Sequence, residues 1–149
     1  MRKSILSTWK PVISGLLIAV TCWSCNVPEP APDKLKDAFK DHFLMGAAIG
    51  RYELSGRDSL GLRLVEKNFN SITATNMMKW ERIHPGPGEY NFEPVDRFIE
   101  FGEKHGMDIV GHVLVWHNQT PAWVFEDDSG IPVVRDTLIQ RMRDHIFTV

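Results

Sequence analysis

Apolar residues along this chain change period several times, and each change predicts an element. Residues 34–43 (KLKDAFKDHF) put Leu35, Ala38, Phe39 and Phe43 on one side of a short amphipathic helix. Residues 44–50 (LMGAAIG) form an apolar run of strand length that ends in glycine. In residues 59–69, Leu60, Leu64, Val65 and Phe69 return to helical spacing. Residues 70–75 (NSITAT) are rich in β-branched side chains and predict a second strand. The clearest helix is 93–106: Pro94 suits its first turn, Val95, Phe98, Ile99 and Phe101 make an apolar stripe, and Gly106 is a natural stop. Residues 107–116 (MDIVGHVLVW) predict a third strand. A helix over 133–149 turns Leu138, Ile139, Met142 and Ile146 inward.

Strand and helix alternate, which implies an α/β fold with a parallel sheet and helical crossovers. Three strands do not complete such a sheet, because both of its faces need cover. The chain is therefore expected to be part of a larger domain that continues past Val149. Three strands on their own would leave edges unpaired and an apolar face open to water.

The first 25 residues have another character. MRKSILSTWK carries three positive charges and no acid, and a short apolar run follows, too short for the roughly 20 residues of a spanning helix. This is the pattern of an export signal over 1–24. Its end, Ser24-Cys25, resembles a bacterial lipoprotein signal, in which the cysteine becomes the lipidated first residue; ordinary signal cleavage with secretion is the alternative. Residues 25–33 hold three prolines and make a semi-extended spacer, and the globular portion runs over 34–149. Export to an outer membrane or cell surface is the expected destination. Losing Arg2, Lys3 and Lys10 with the signal changes 17 basic against 19 acidic residues to 14 against 19, a net charge of −5. No basic stripe is visible, so a nucleic-acid partner is not expected.

In parallel α/β folds, ligands sit beyond the carboxyl ends of the strands. TNMMKW follows the second strand, and WHNQTPAW follows the third. If 107–116 is a strand throughout, His112, Leu114 and Trp116 share one face, while Val113 and Val115 pack under helices. Each residue alone has a plainer reading. A strand histidine is commonly a satisfied core group, Trp116 could be core packing, and Asn76, Lys79 and His117 could be ordinary loop residues. No metal site is expected, because the 112/117 spacing does not set two imidazoles side by side.

The combination is more specific than its parts. Residues 72–124 closely resemble the N-terminal third of family 10 glycoside hydrolases, the endo-β-1,4-xylanases. The resemblance rests on the N-x-M-K-W segment, the P-x-x-G-x-[YF]-N-F turn, HGM after the helix, and G-H-x-L-V-W-H. HFLMGAAIG upstream and RMRDHI downstream extend it to about residues 34–149. It implies the first three βα units of a TIM (β/α)8 barrel, truncated, and hydrolysis of xylan with retention of configuration. It also implies that Asn76 and Lys79 hydrogen-bond a xylosyl unit on the non-reducing side of the cleaved bond. His112, Trp116, His117 and Gln119 would form the wall and floor around the sugar at the cleavage point. Thr75 stands where the family usually has glutamate, and Met77 where an acid is common, so binding of that sugar unit is expected to differ. No cofactor is implied, and a monomer is expected.

Retaining hydrolysis needs two carboxyl groups about 5–5.5 Å apart. The resemblance places both on glutamates after the fourth and seventh strands, and neither segment occurs here. Glu81, between Trp80 and Arg82, reads as packed and paired, and Glu126, Asp127 and Asp128 as a solvated loop. This chain alone is therefore expected to be inactive. The competing reading is a non-catalytic xylan-binding or decayed surface lipoprotein. The resemblance places the first glutamate in a W-D-x-x-N-E segment after the fourth strand; an open frame past Val149 that soon reaches that segment supports the enzyme, and an immediate stop supports the alternative.

Overall fold

A computed structural model describes residues 31–149; the export signal, Cys25 and most of the spacer lie outside the described residues. Three strands, β1 (Gly46–Ile49), β2 (Ser71–Ala74) and β3 (Asp108–Val110), pair in parallel in that order. α2 (Arg51–Leu54) and α3 (Ser59–Asn68) connect the first two strands; α4 (Trp80–Ile83) and α5 (Glu93–Lys104) connect the second and third. A short helix, α1 (Leu35–Ala38), precedes the sheet, and α6 (Arg135–Thr148) follows it. Ala48 lies beside Thr73, and Thr73 beside Val110, so this row crosses all three strands.

Asn70 aligns the strand entrances. Its side chain accepts from the Met45 amide at 2.7 Å, its own amide donates to the Met45 carbonyl, and its carbonyl accepts from Asp108. One residue thus ties the starts of β1 and β3 to β2. α3 opens at Asp58, whose carboxylate accepts from the Gly61 amide at 2.8 Å. α5 has proline in its first turn and ends before Gly106, which takes a positive φ of 60°.

The core lies between the sheet and α3 and α5. Ile72 and Phe98 are 0 % exposed, and Ile49, Val65, Ala74, Met77, Ile83, Val95, Phe101 and Met107 complete it. Gly102 lets α5 approach closely: a Cβ there would lie 2.6 Å from the Ile109 side chain and 3.0 Å from that of Ile72.

Several expected elements differ. The third strand stops at Val110 instead of reaching Trp116. Its partner β2 ends at Ala74, and the ladder's last pair is Thr73 with Val110. Nothing among the described residues pairs its other edge, so the backbone leaves the sheet. The alternation expected over 107–116 is lost with it: Leu114 and Val115 are exposed, and Val115 does not pack under a helix. The first helix covers only Leu35–Ala38, and Phe39 and Phe43 stack on each other at 4.9 Å while Phe43 stays exposed. On α3, Val65 is buried but Leu60 and Leu64 are not; on α6, Ile146 is also exposed.

The deepest α6 side chain is His145, 0 % exposed. Its ring stacks on Trp80 with centroids 3.9 Å apart and planes within 4°. Nε2 lies 2.8 Å from the Leu114 carbonyl and must donate to it. Nδ1 of the neutral ring is then an acceptor, facing Nδ1 of buried His84 at 3.3 Å, so His84 donates there. Tyr90 stacks on His84 at 4.1 Å, and Trp123 closes the layer edge-on to Trp80. Burial drives the His145 pKa down from 6.5 to about 4; the Leu114 bond opposes the shift and His84 reinforces it. His84 is lowered as well, by burial, against the attraction of Asp144.

Two outcomes follow for the protein that carries this chain. Gly102→Ala should destabilise it by about 1–3 kcal/mol through overpacking, outweighing the roughly 1 kcal/mol that alanine gains within a helix. A urea midpoint that rises instead would show that Ile109 yields freely. For His145, the folded pKa lies below the unfolded one, so the unfolded chain binds more protons between about pH 4 and 6.5. Stability should be full above pH 6.5 and decline as pH falls through that window. His145→Gln keeps a donor for Leu114 but does not titrate, so its urea midpoint should decline less steeply between pH 6.5 and 4.5. Equal slopes in both proteins would rule this out.

Candidate functional site

The loop after β2 is anchored by Met77, 4 % exposed in the core, which turns its neighbours Asn76 and Lys79 outward. Lys79 is the residue before α4, and its ammonium donates to the Asn76 side-chain oxygen at 2.9 Å. The same nitrogen sits over the Trp116 indole, 4.9 Å from its centroid. His112 meets that indole at 6.2 Å with the planes inclined by 61°. His117 meets it edge-on at 5.3 Å, and its Nε2 lies 3.3 Å from the Asn118 amide. The exits of β2 and β3 thus bring Asn76, Lys79, His112, Trp116 and His117 together around one indole.

Gln119 departs from this group. With a positive φ of 53°, it turns toward α4: its side-chain amide donates to Glu81 at 3.1 Å, and its carbonyl accepts from the Glu81 amide. Glu81 also lies 3.4 Å from Nε of Arg82, the packed and paired role read from its neighbours. These contacts hold the loop that carries Trp116. Two more assist, from the Thr120 hydroxyl to the Trp116 carbonyl at 2.6 Å and from His145 to the Leu114 carbonyl. The peptide between His112 and Val113 is cis.

Beside this group lies a cavity of about 420 Å³, with Arg51, Thr75, Asn76, Glu81, Arg82 and Asn91 among its walls. It shares Asn76 with the indole group and includes none of Lys79, His112 or Trp116. The arginines were missed in the sequence, although a signal existed for Arg51: it stands two residues past the end of β1, after Gly50, as Asn76 stands two past the end of β2, after Thr75. The aromatic layer of Trp80, His84, Tyr90, Trp123 and His145 was missed too. His145 falls three residues after Met142 and seven after Leu138, on the face already read as inward.

An indole face with an ammonium, an amide and two imidazoles around it suits a neutral, polyhydroxylated ring. The indole covers the apolar face of such a ring, and the polar groups satisfy its hydroxyls.

The sequence profile of glycosyl hydrolase family 10 matches residues 34–149. An endo-1,4-beta-xylanase/feruloyl esterase of Xylanibacter ruminicola is 40% identical over 138 residues, covering 93% of this chain and 19% of the relative. The crystal structure of an endo-1,4-beta-xylanase from Caldicellulosiruptor owensensis is 44% identical with a TM-score of 0.70, covering 77% of this chain and 34% of that one. A solved mutant in complex with xylotriose is 42% identical with a TM-score of 0.72, covering 78% of this chain and 34% of that one. The chain thus spans between about a fifth and a third of these relatives, and its three βα units correspond to the N-terminal part of a (β/α)8 barrel. The chain belongs to glycosyl hydrolase family 10.

Proposed function

We propose that this chain is the N-terminal part of an endo-1,4-β-xylanase that cleaves internal bonds of xylan with retention of configuration. The observation that carries the reading is the Trp116 indole with Lys79 over its face and Asn76 and His112 beside it. Asn76 and Lys79 hold a xylosyl unit on the non-reducing side of the cleaved bond. His112, Trp116 and His117 surround the sugar at the cleavage point, and Gln119 contributes its free amide face while tied to Glu81. The names of the relatives and the bound xylotriose of one of them support the same substrate.

In this reading the chain supplies grip and orientation. The two glutamates that act as nucleophile and acid/base belong to segments absent from these 149 residues. The protein is exported, held at the outer membrane or cell surface by a lipid on Cys25, and acts as a monomer.

The test is release of reducing ends by the whole protein from xylan, cellulose and mannan. Xylan should be cleaved far faster than the other two, and the 149-residue chain alone should release nothing. Trp116→Ala in the whole protein should lower kcat/KM on xylan by about tenfold or more, since it removes the stacking face. Equal rates on all three polymers, or none on xylan, would sink the reading.

A further inference from the structure

The cavity beside Asn76 has a charge pattern that a neutral sugar does not call for. Resting on the xylanase reading, we propose that it is a specificity site for a carboxylate-bearing side sugar branching from the xylan backbone.

Its two cations are Arg51 and Arg82, and its one carboxylate is Glu81. Glu81 is already engaged, by the Gln119 amide at 3.1 Å and by Arg82 Nε at 3.4 Å. Arg51 makes no ion pair among the described residues, and the acids around it are committed elsewhere. Glu53 accepts from the Gly50 amide at 2.8 Å, and Glu93, on the wall of the smaller cavity that Arg51 also borders, pairs with Arg97 at 2.5 Å. A guanidinium at a cavity wall without a local anion is a ready partner for an incoming carboxylate, which it can take in a two-pronged contact.

The other walls agree. Thr75 and Met77 line this cavity at the two positions where the family resemblance leads one to expect acids. Both replacements remove negative charge from a space that two arginines border. Lys79, hydrogen-bonded to the shared Asn76, adds a third cation close by. A volume of about 420 Å³ lies within the range of small-ligand sites. Asn76 belongs to both spaces, so a sugar held at Trp116 and Lys79 would carry a branch into the cavity without a second binding event.

The experiment uses the whole protein and a set of linear xylo-oligosaccharides bearing one glucuronic acid branch, placed at each successive sugar in turn. The same set with the branch carboxylate converted to its primary amide is the control, close in size and lacking the charge. For at least one branch position, kcat/KM should favour the acid over the amide by about tenfold at low salt, the worth of one charge-assisted contact. That preference should shrink at 0.5 M NaCl, where the Debye length is only a few ångström. Arg51→Gln should reduce it to about twofold or less, and Arg51→Lys should retain part of it, because a single ammonium replaces the fork. Circular dichroism checks that the variants fold; a misfolded Arg51→Gln leaves the acid-to-amide ratio of the unaltered protein, and its salt dependence, as the decisive measurement. A ratio near one at every branch position, or one indifferent to salt, overturns the inference while xylan cleavage stands. Failure to cleave any oligosaccharide of either set overturns the xylanase reading and this one together.

Discussion

Among the described residues no strand pairs with the segment beyond Val110, which carries the indole of Trp116. The contact that holds it is the bond from His145 to the Leu114 carbonyl. It reaches from α6 across the buried stack on Trp80 to the middle of the loop, so one imidazole fixes a helix, a second helix and the loop together. That arrangement demands a neutral ring. A protonated His145 would place a second N–H against the N–H of His84, and would bury a charge without an ion-pair partner among the described residues, at a cost of several kcal/mol before relaxation. The tautomers are therefore set in sequence: the Leu114 carbonyl decides His145, and His145 decides His84. What remains at the end of the relay is His84 Nε2, buried and without a partner among the described residues, as are the indole nitrogens of Trp80 and Trp123.

The indole group shows a similar economy. Lys79 is shared between the Asn76 oxygen and the Trp116 face. A cation over an exposed indole contributes only about 0.5–1 kcal/mol, rising toward 2 when water is excluded. Trp116 and Lys79 are both half-buried, so the contact lies between these limits. Met77 is buried, while Asn76 is exposed and Lys79 half-buried beside it.

Much of this was legible in the order of residues, for definite reasons. The helix over 93–106 and the strands at 44–50 and 70–75 were plain because Phe98, Ile72 and Ile49 are core positions whose spacing records their secondary structure. The site residues were legible because they stand at strand exits and carry rare side chains in a run. The end of β3 was not legible. An alternating apolar sequence such as VLVW fits a strand, but a strand also needs a partner, and pairing is a property of two segments. The exposure of Leu60 and Leu64 was hidden for a related reason: helical spacing identifies an apolar face, but what covers it lies on another segment. His145 was hidden because a histidine among apolar positions reads as a polar interruption, although its period placed it inward.

Read by magnitude, the site's charge distribution favours discrimination over raw grip. A glutamate at position 75 would offer a neutral sugar a charge-assisted bond, about 1.5–3 kcal/mol, where a hydroxyl offers about 0.5–1.5. Under the proposed function, Thr75 would therefore give up affinity for the plain backbone. The same change removes a carboxylate from the surroundings of Arg51 and Arg82, where it would have repelled an acidic branch or paired with the arginines itself. One substitution thus acts in opposite directions on two ligands, and the difference between their affinities shifts by more than either affinity does. Specificity is such a difference, so a loss at position 75 that looks like damage on linear xylan is the change that would make a charged branch worth distinguishing.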